Sequence, residues 1–497
     1  MEQEDFSEAT AVVGTNKNLM NYFADFYSTL FHNRREEILV ESTAEIDKLP
    51  QEILLRILSY LKAKELIALS STCRRFSNLI NTNDFLPKLT LRVTESTKRS
   101  QWIGHRKYKK LLVLSESINL YFKLPKTIGT YVTTLNLDCW EISIYEIKKV
   151  IKLCPHIKEL SLMYLVRTGI PPEITKKEEI PLTWLDKLSL QGELQIVNCL
   201  KNLQVKELII HRQSDFETHL DDVAEFIMNQ KDMINLELYH MYFISSLFLR
   251  DEMKHVAFRL NKLIIKYCSH FSYFCFVCFV ASQKDSIKFM SVDDFGYDMI
   301  KFLMHFKEMR TLKLTLTEDY QIAEKDMLVM MSHVRNTMLL PQVEDLEIWN
   351  YCHNFIHHFP NVRKLTIYGT DLDLNLWNFK NLEDLTVITK NLENPLELNE
   401  NLKKLKLIMY EYPKDHSPFS YDSCKLEDLT LIGAKNLDWI KNYLEHPNTN
   451  LKNLRIERCL VTDELKEILK IHENKIKRFE IIEQDGKEIE ILRRRLI

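Results

Sequence analysis

The sequence predicts an α/β fold, in which a small N-terminal module of three helices precedes a long solenoid of strand–helix repeats. Two observations predict it. From residue 86 onward one apolar spacing recurs with a period of about 24 residues. Before it, residues 48–76 hold more aliphatic side chains than the single buried stripe of one amphipathic helix can cover.

The composition is that of a folded chain, with 45% hydrophobic and 28% charged residues. A net charge of -3 provides no field that would attract nucleic acid or an acidic membrane. The N-terminal sequence MEQEDFSEAT is acidic and has no basic, apolar leader, so we expect a cytoplasmic or nuclear protein whose cysteines are thiols. The apolar run 271–281 is about half the roughly 20 residues of a membrane helix, which favours a buried helix.

Cofactor-dependent catalysis is not expected. The closest two of the nine glycines, Gly169 and Gly192, are 23 residues apart, whereas glycine-rich phosphate loops need two within about six residues. The chain also contains neither HExxH nor GxSxG. Cys275 and Cys278 have zinc or redox spacing, but they lie inside the apolar run and no second pair follows, so we expect two core thiols and no metal.

The repeat consists of an apolar residue, two variable residues, an apolar residue, one variable residue and an apolar residue, as in Leu185-x-x-Leu188-x-Leu190. Its first positions are residues 86, 108, 132, 157, 185, 205, 233, 260, 287, 309, 343, 362, 382, 402, 426, 451 and 476. Because alternate side chains of a strand point to opposite faces, the last two apolar residues point inward and the residue between them points outward. Residues 143–155 lie between two such units and have helical periodicity.

These units resemble leucine-rich repeats, and Cys154-Pro155 together with Cys268 and Cys459 resembles the cysteine-containing class. The resemblance implies a curved horseshoe of about 17 repeats, with parallel strands on the concave face and helices on the convex face. Each repeat is then stabilised mainly by its neighbours. A protein of this length therefore need not divide into conventional domains.

The segment 45–87 resembles the F-box, the adaptor-binding module of SCF cullin–RING ubiquitin ligases. The residues that carry the resemblance are Leu49-Pro50, Glu52-Ile53, Ile57, Leu58, Leu61, Leu66, Leu69, Cys73-Arg74 and Phe76. Those expected to bind the adaptor are Leu49, Pro50, Ile53, Ile57, Leu58, Leu61, Leu69, Cys73 and Phe85. Lys64 stands where the family commonly has Asp, and the closing Trp of the family is missing, with Phe85 or Leu86 in its place.

The resemblance implies a non-catalytic substrate receptor of an SCF-type ubiquitin ligase. The F-box would dock on the Skp adaptor and thereby join the cullin–RING core, and the repeats would bind a protein substrate for ubiquitylation and degradation. Two alternatives share the fold, namely a scaffold that binds the adaptor without ubiquitylation and an inhibitor-type repeat protein. We expect an N-terminal extension over 1–44, the F-box over 45–87, a basic junction with the first repeat over 88–105, and the repeat domain over 106–497.

Outward positions around the strand leucines are the candidates for substrate recognition, because they are exposed to the concave face. The residues expected to bind substrate are Tyr239, Lys266, Asp293, Trp349, Tyr368, Lys406 and Arg455. The three aromatic residues are typical of interface hot spots. Alternatively, each of these side chains is covered by a neighbouring side chain or a loop.

Two stretches, 309–343 and 411–423, exceed what a minimal repeat needs, and either substrate contact or drift of the repeat would produce them. Residues 96–115 are basic and are expected to form a solvated junction, with a nuclear signal or phosphate-binding patch as the alternative.

Overall fold

The structure is a computed structural model, and part of the chain is described. The described residues are 49–81, 85, 88–94, 107–115, 129–139, 144–165, 180–192, 194–211, 220–241, 244–248, 250–268, 273–295, 302–316, 339–350, 355–372, 376, 379–392, 394–409, 417–419, 425–434, 437–447, 449–472, 476 and 478–482.

The chain divides into two compact units, the first with the described residues 49–56 and the second with the described residues 57–482. Helix α1, Gln51–Ser59, begins in the first unit directly after Pro50. The Leu54 N–H donates to the Pro50 carbonyl at 3.1 Å. Proline is favoured at the start of a helix, because the first N–H groups of a helix have no partner within it.

In the second unit, two further helices follow, α2 (Ala63–Ser70) and α3 (Arg74–Ile80). The Lys62 backbone N–H donates to the Glu65 carboxylate at 2.7 Å, which satisfies an N–H at the start of α2. The Cys73 sulfur accepts from the Phe76 N–H at 3.5 Å at the start of α3. Three helices are therefore present where the sequence predicts the helical module.

Seventeen parallel strands form one sheet among the described residues, and each strand pairs with the next in the chain. The strands are β1 (Thr90–Val93), β2 (Lys110–Ser115), β3 (Thr134–Cys139), β4 (Glu159–Leu165), β5 (Trp184–Gly192), β6 (Gln204–His211), β7 (Asn235–Tyr239), β8 (Lys262–Lys266), β9 (Phe289–Phe295), β10 (Thr311–Leu316), β11 (Asp345–Trp349), β12 (Lys364–Leu372), β13 (Asp384–Leu392), β14 (Lys404–Met409), β15 (Asp428–Ile432), β16 (Asn453–Glu457) and β17 (Arg478–Ile482). Each predicted repeat supplies one strand, which confirms the solenoid of strand–helix repeats.

The inward residues of the strands form the core. In β11, Leu346 and Ile348 are fully buried, and their counterparts in β12, Leu365 and Ile367, lie beside them in register. Burying each such side chain contributes roughly 1.5 to 3 kcal/mol. Because the partner of each side chain lies in the next repeat, the core is continuous from one repeat to the next.

Strands leave the sheet through a residue in the left-handed region at one recurring position. His240, Tyr267, Asn350 and Arg458 each follow the last residue of a strand and have φ between 53° and 57°. Gly433 takes the same place after β15, with φ of 77°. The repeated geometry turns the chain from strand to connection in each of these repeats.

The connections between strands contain α-helices and 3₁₀ helices. The α-helices are α4 (Ile144–Leu153), α5 (Leu220–Met228), α6 (Ile244–Phe248), α7 (Tyr273–Ala281), α8 (Trp439–Glu445) and α9 (Asp463–Ile471), and the 3₁₀ helices are Leu194–Leu200, Asp251–His255 and Phe355–His358. Helix α4 confirms the helix predicted over residues 143–155. In α7, Phe276, Phe279 and Val280 are fully buried, which confirms a buried helix in the apolar run. No helix in the described part of the chain is long and apolar enough to cross a membrane.

Buried amide side chains join adjacent repeats. Gln230, which is fully buried, accepts from the Val205 N–H at 2.8 Å and donates to the Leu203 carbonyl at 3.0 Å. Gln283 does the same two repeats later, accepting from the Leu260 N–H at 2.9 Å. The two glutamines satisfy backbone groups that the sheet leaves unpaired in the core.

Two of the cysteines that carry the resemblance to cysteine-containing repeats, Cys268 and Cys459, occupy a similar bridging position. The Cys268 thiol lies 3.3 Å from the Lys266 carbonyl and 3.8 Å from the Leu238 carbonyl of the preceding repeat. Burial raises the pKa of the Cys154 thiol to about 12. These thiols are structural groups of the repeat core, since a buried thiol of high pKa is a poor nucleophile.

Several sequence expectations lie outside the described residues. They concern the N-terminal extension 1–44, most of the basic stretch 96–115, residues 317–338 of the stretch 309–343 and the greater part of 411–423. Within that last stretch, Phe419 is described and is buried against the rings of Trp439 and Tyr443. Phe419 therefore belongs to the core.

Candidate functional site

The helical module leaves large apolar side chains in solvent. In the first unit, Ile53 of α1 is 44% exposed. In the second unit, Tyr60 and Ile67 are 65% and 46% exposed. These side chains are the candidates for a protein contact in the helical module.

The structure divides the residues expected to bind the adaptor into two groups. Leu58, Leu61, Leu69 and Phe85 are buried. They therefore serve as core residues of the second unit and are not displayed on its surface. The sequence could not separate these leucines from displayed ones, because both kinds fall at helical spacing. Their burial gives them a structural role in this unit, and a contact with the adaptor stays a prediction.

The remaining residues of that set are accessible. Ile53 and Pro50 are exposed, while Leu49, Ile57 and Cys73 are half-buried. Their contact with an adaptor stays a prediction. Ile67 was not among the expected adaptor-binding residues, although it shares α2 with Leu66, which is fully buried, and points away from the core.

A second candidate surface is formed by the outward side chains of β2–β17, called here the strand face. Two rows on it matter for the argument. The middle row contains the residue between the two inward positions of each strand, such as Lys406 in β14. The C-terminal row contains the residue after the second inward position, such as Tyr368 in β12.

Register brings Tyr239 beside His211 and Lys266 in the C-terminal row. The rings of His211 and Tyr239 stack with centroids 4.3 Å apart and an interplanar angle of 1°. The Tyr239 hydroxyl donates to the Glu237 carboxylate at 2.9 Å. Burial, followed by this hydrogen bond, raises the pKa of Tyr239 well above its ordinary value. Tyr239 is therefore a fixed, neutral hydrogen-bonding aromatic group.

Asp293 is occupied by contacts within the chain. One carboxylate oxygen accepts from the Tyr267 backbone N–H at 2.9 Å, and the other accepts from the Thr315 hydroxyl at 2.8 Å. This carboxylate holds the turn after β8 against β10. Its role in substrate binding stays a prediction.

Trp349 and Tyr368 form a stacked aromatic pair on the strand face. Their rings stack with centroids 3.5 Å apart and an interplanar angle of 11°. The Trp349 indole N–H donates to one oxygen of Glu347 at 3.0 Å, and Lys313 donates to the other at 2.6 Å. Trp349 remains 39% exposed, so the pair is both anchored and accessible.

Lys406 and Arg455 lie in the middle row on β14 and β16. They line one groove of about 430 Å³ across β12–β17. Arg455 donates to Glu457 at 2.7 Å and to Glu480 at 3.5 Å, whereas Lys406 has no ion-pair partner among the described residues. Of the two cations, Lys406 is the one available to a ligand.

Three residues of the strand face were not expected from the sequence. Ile388, Ile408 and Ile432 follow Tyr368 in register along the C-terminal row and are half-exposed. An isoleucine after a strand leucine reads as core when the sequence is taken alone. Their position identifies them as outward residues, since each lies three residues after the first inward residue of its strand.

No cluster of three or more His, Cys, Asp or Glu residues that could hold a metal ion occurs among the described residues. The chemistry that the two surfaces offer is that of protein contacts, with apolar, aromatic and charged side chains on rigid elements.

Comparison with known proteins identifies one domain. Residues 46–91 match the F-box-like family model, which covers α1–α3 and the first two residues of β1. No curated protein sequence matches the chain.

Solved structures of low sequence identity match larger parts of the chain. One is a chain in the crystal structure of the Rad7 and Elc1 complex in yeast, at 12% identity and a TM-score of 0.34, with 91% of this chain and 96% of that chain covered. Another is a chain in the crystal structure of the TLR13–ssRNA13 complex, at 14% identity and a TM-score of 0.39, with 81% and 55% covered.

Proposed function

We propose that this protein, which carries an F-box-like domain at residues 46–91 followed by a leucine-rich-repeat solenoid, is the substrate-recognition subunit of an SCF-type E3 ubiquitin ligase. In this proposal residues 45–87 dock on the Skp adaptor, and the repeats over 106–497 bind a protein substrate. The cullin–RING core and its ubiquitin-conjugating enzyme perform the chemistry in the cytoplasm or nucleus.

The observation that carries the proposal is the order of the two parts along one chain. An F-box-like segment that displays Ile53 and Ile67 precedes seventeen repeats that display aromatic and charged side chains. One part has the properties of a docking module and the other has those of a recognition surface.

Proximity is the whole contribution of such a subunit. When a substrate lysine is held near the ubiquitin thioester of the conjugating enzyme, an improbable bimolecular encounter becomes an effectively intramolecular one. No catalytic residue is then required of this chain.

The test is recovery of the adaptor and cullin with the full chain purified from cells. Ile53→Asp and Ile67→Asp place a charge where an apolar side chain is exposed, so each is expected to reduce adaptor recovery at least tenfold without unfolding the chain. Ile471→Asp is the matched control, because Ile471 is 75% exposed on α9, distant in sequence from the F-box-like domain. Circular dichroism of each variant verifies the fold.

Two results separate this proposal from its alternatives. If the unmodified chain recovers no adaptor, the inhibitor-type function replaces the proposal. If the adaptor is recovered but bound proteins never acquire ubiquitin, the scaffold function replaces it.

A further inference from the structure

An apolar stripe crosses five adjacent strands of the strand face. Its members share the C-terminal row and are neighbours in register from β11 to β15, and they are Trp349, Tyr368, Ile388, Ile408 and Ile432. All five are exposed or half-exposed. The stripe is continuous because the same outward position is apolar in every one of these strands.

The dimensions of the stripe suit an extended peptide. Neighbouring strands are about 4.8 Å apart, so five strands span about 19 Å, the length of about six extended residues. At the aromatic end, the stacked Trp349 and Tyr368 rings provide a rigid platform. At the aliphatic end, the three isoleucines provide a flat surface without a hydrogen-bonding group of their own.

A row of hydrogen-bond donors runs beside the stripe. In the middle row, Lys406 lies between Thr386 of β13 and Thr430 of β15, and Arg455 follows on β16. Each is two residues before the C-terminal row of its own strand, about 7 Å along the strand. When an apolar side chain of a bound peptide lies on the stripe, a neighbouring anionic side chain of that peptide is therefore within reach of this row.

The groove over this region carries more positive than negative side chains. Five cations line it, Lys364, Lys404, Lys406, Arg455 and Arg478, against three carboxylates, Asp384, Asp428 and Glu480. Three of the cations have a carboxylate partner, since Lys364 lies 3.6 Å from Asp345 and Glu480 is shared by both arginines. Lys404 acts on the Asp384 carboxyl through its charge.

Lys406 is the exception. Among the described residues it has no ion-pair partner, and hydroxyl groups of Thr386 and Thr430 flank it in register. An ammonium group between two hydroxyls offers several donors to a single anion. The local chemistry is therefore complementary to one carboxylate placed beside apolar side chains.

We propose that the stripe and Lys406 together bind an extended acidic segment of the substrate, in which an Asp or Glu contacts Lys406 and neighbouring apolar residues lie on the stripe. This inference rests on the proposed function in that it names the class of substrate segment. A carboxylate is favoured over a phosphate because the arginines that would grip a phosphate bidentately are held by Glu457 and Glu480.

The test uses fluorescein-labelled ten-residue peptide pools and the full chain, with binding measured by fluorescence polarisation. The first pool alternates Asp or Glu with Leu, Ile or Phe. Three comparison pools replace the acidic residues by Lys, the acidic residues by phosphoserine, or the apolar residues by Ser. The acidic and apolar pool is expected to bind at least tenfold more tightly than each of the other three.

Two variants place the binding on this surface. Lys406→Glu and Ile408→Asn are each expected to weaken binding of the acidic and apolar pool at least tenfold. Lys187→Glu is the matched control, because Lys187 is a half-exposed lysine of β5, six strands from the stripe, and its substitution is expected to change binding less than twofold.

The inference is overturned if the acidic and apolar pool does not bind, if the phosphoserine or lysine pool binds more tightly, or if Lys187→Glu weakens binding as much as Lys406→Glu. Adaptor recovery measured on both the unmodified chain and the Lys406→Glu variant keeps this result separate from the proposed function. Peptide binding without adaptor recovery would leave the inference standing and remove the ligase function, and the reverse result would remove the inference alone.

Discussion

Glu347 shows at the scale of a single residue how the strand face is organised. It is a mostly buried carboxylate that accepts from both Lys313 and Trp349. Burial alone would raise its pKa, but the two hydrogen bonds and the nearby positive charges of Lys313 and Lys266 hold the pKa below its ordinary value. The ionised carboxylate therefore stabilises the folded chain and fixes the orientation of the indole.

Glu347→Gln tests this account through pH. Because the folded pKa is lowered, the stabilisation is fully present above the ordinary carboxyl pKa of about 4.3 and is lost as pH falls through the lower folded value. We expect the variant to be less stable by about 1 to 2 kcal/mol at pH 7. The difference in stability between the variant and the unmodified chain should shrink below about pH 4. Chemical denaturation at several pH values measures it.

Glu383→Gln is the matched control for that experiment. Glu383 also pairs with a lysine, Lys403, at 2.9 Å, but the pair is at the surface, where solvent screens it. No measurable loss of stability is expected for Glu383→Gln. An equal loss in both variants, or a loss in Glu347→Gln that does not change with pH, would contradict the role given to Glu347.

Gln230 and Gln283 show at the scale of the element how repeats are joined. Each is a buried amide that pairs backbone groups of the preceding repeat. Neither was predicted from the sequence, because a single glutamine near the end of a helix is normally a solvated residue. Only the placement of the helix against the next strand buries it.

Gln230→Leu is expected to destabilise the chain by roughly 2 to 5 kcal/mol, since it leaves a buried N–H and a buried carbonyl without partners. Gln204→Leu also removes two hydrogen bonds, to Asn229 and Lys231, but these are exposed and water replaces them. Thermal unfolding of the two variants should therefore differ clearly. Equal thermal unfolding midpoints for the two variants would show that the buried Gln230 amide does not stabilise the contact between repeats.

The strands could be predicted from the sequence, whereas the connections could be predicted only in part. Alternation of inward leucines fixes the face and the register of each strand, so all seventeen units were found. Connections depend on packing between repeats, so helix α4 was predictable but the 3₁₀ helices at Leu194–Leu200 and Asp251–His255 were not. The stripe isoleucines were missed for a related reason, because residue type alone does not distinguish an outward isoleucine from a core one.

At the scale of the whole molecule, the account combines a short docking module with a long recognition surface. In the module, the sequence pattern found the right helices but could not tell buried Leu58 from exposed Ile53, since both lie at helical spacing. In the repeats, the stacked Trp349 and Tyr368 were found because aromatic residues at outward positions are conspicuous. The other exposed residues of the two surfaces could be recognised only from their position in the fold.

The central claim is that binding at the strand face leads to ubiquitylation through the F-box-like domain. The most direct measurement is ubiquitin transfer to proteins captured by the full chain, in a reaction reconstituted with the Skp adaptor, the cullin–RING core and a conjugating enzyme. We predict that captured proteins acquire ubiquitin with the unmodified chain, and that Ile67→Asp still captures them but loses the transfer at least tenfold. Transfer that is unchanged by Ile67→Asp, or captured proteins that never acquire ubiquitin, would contradict the account.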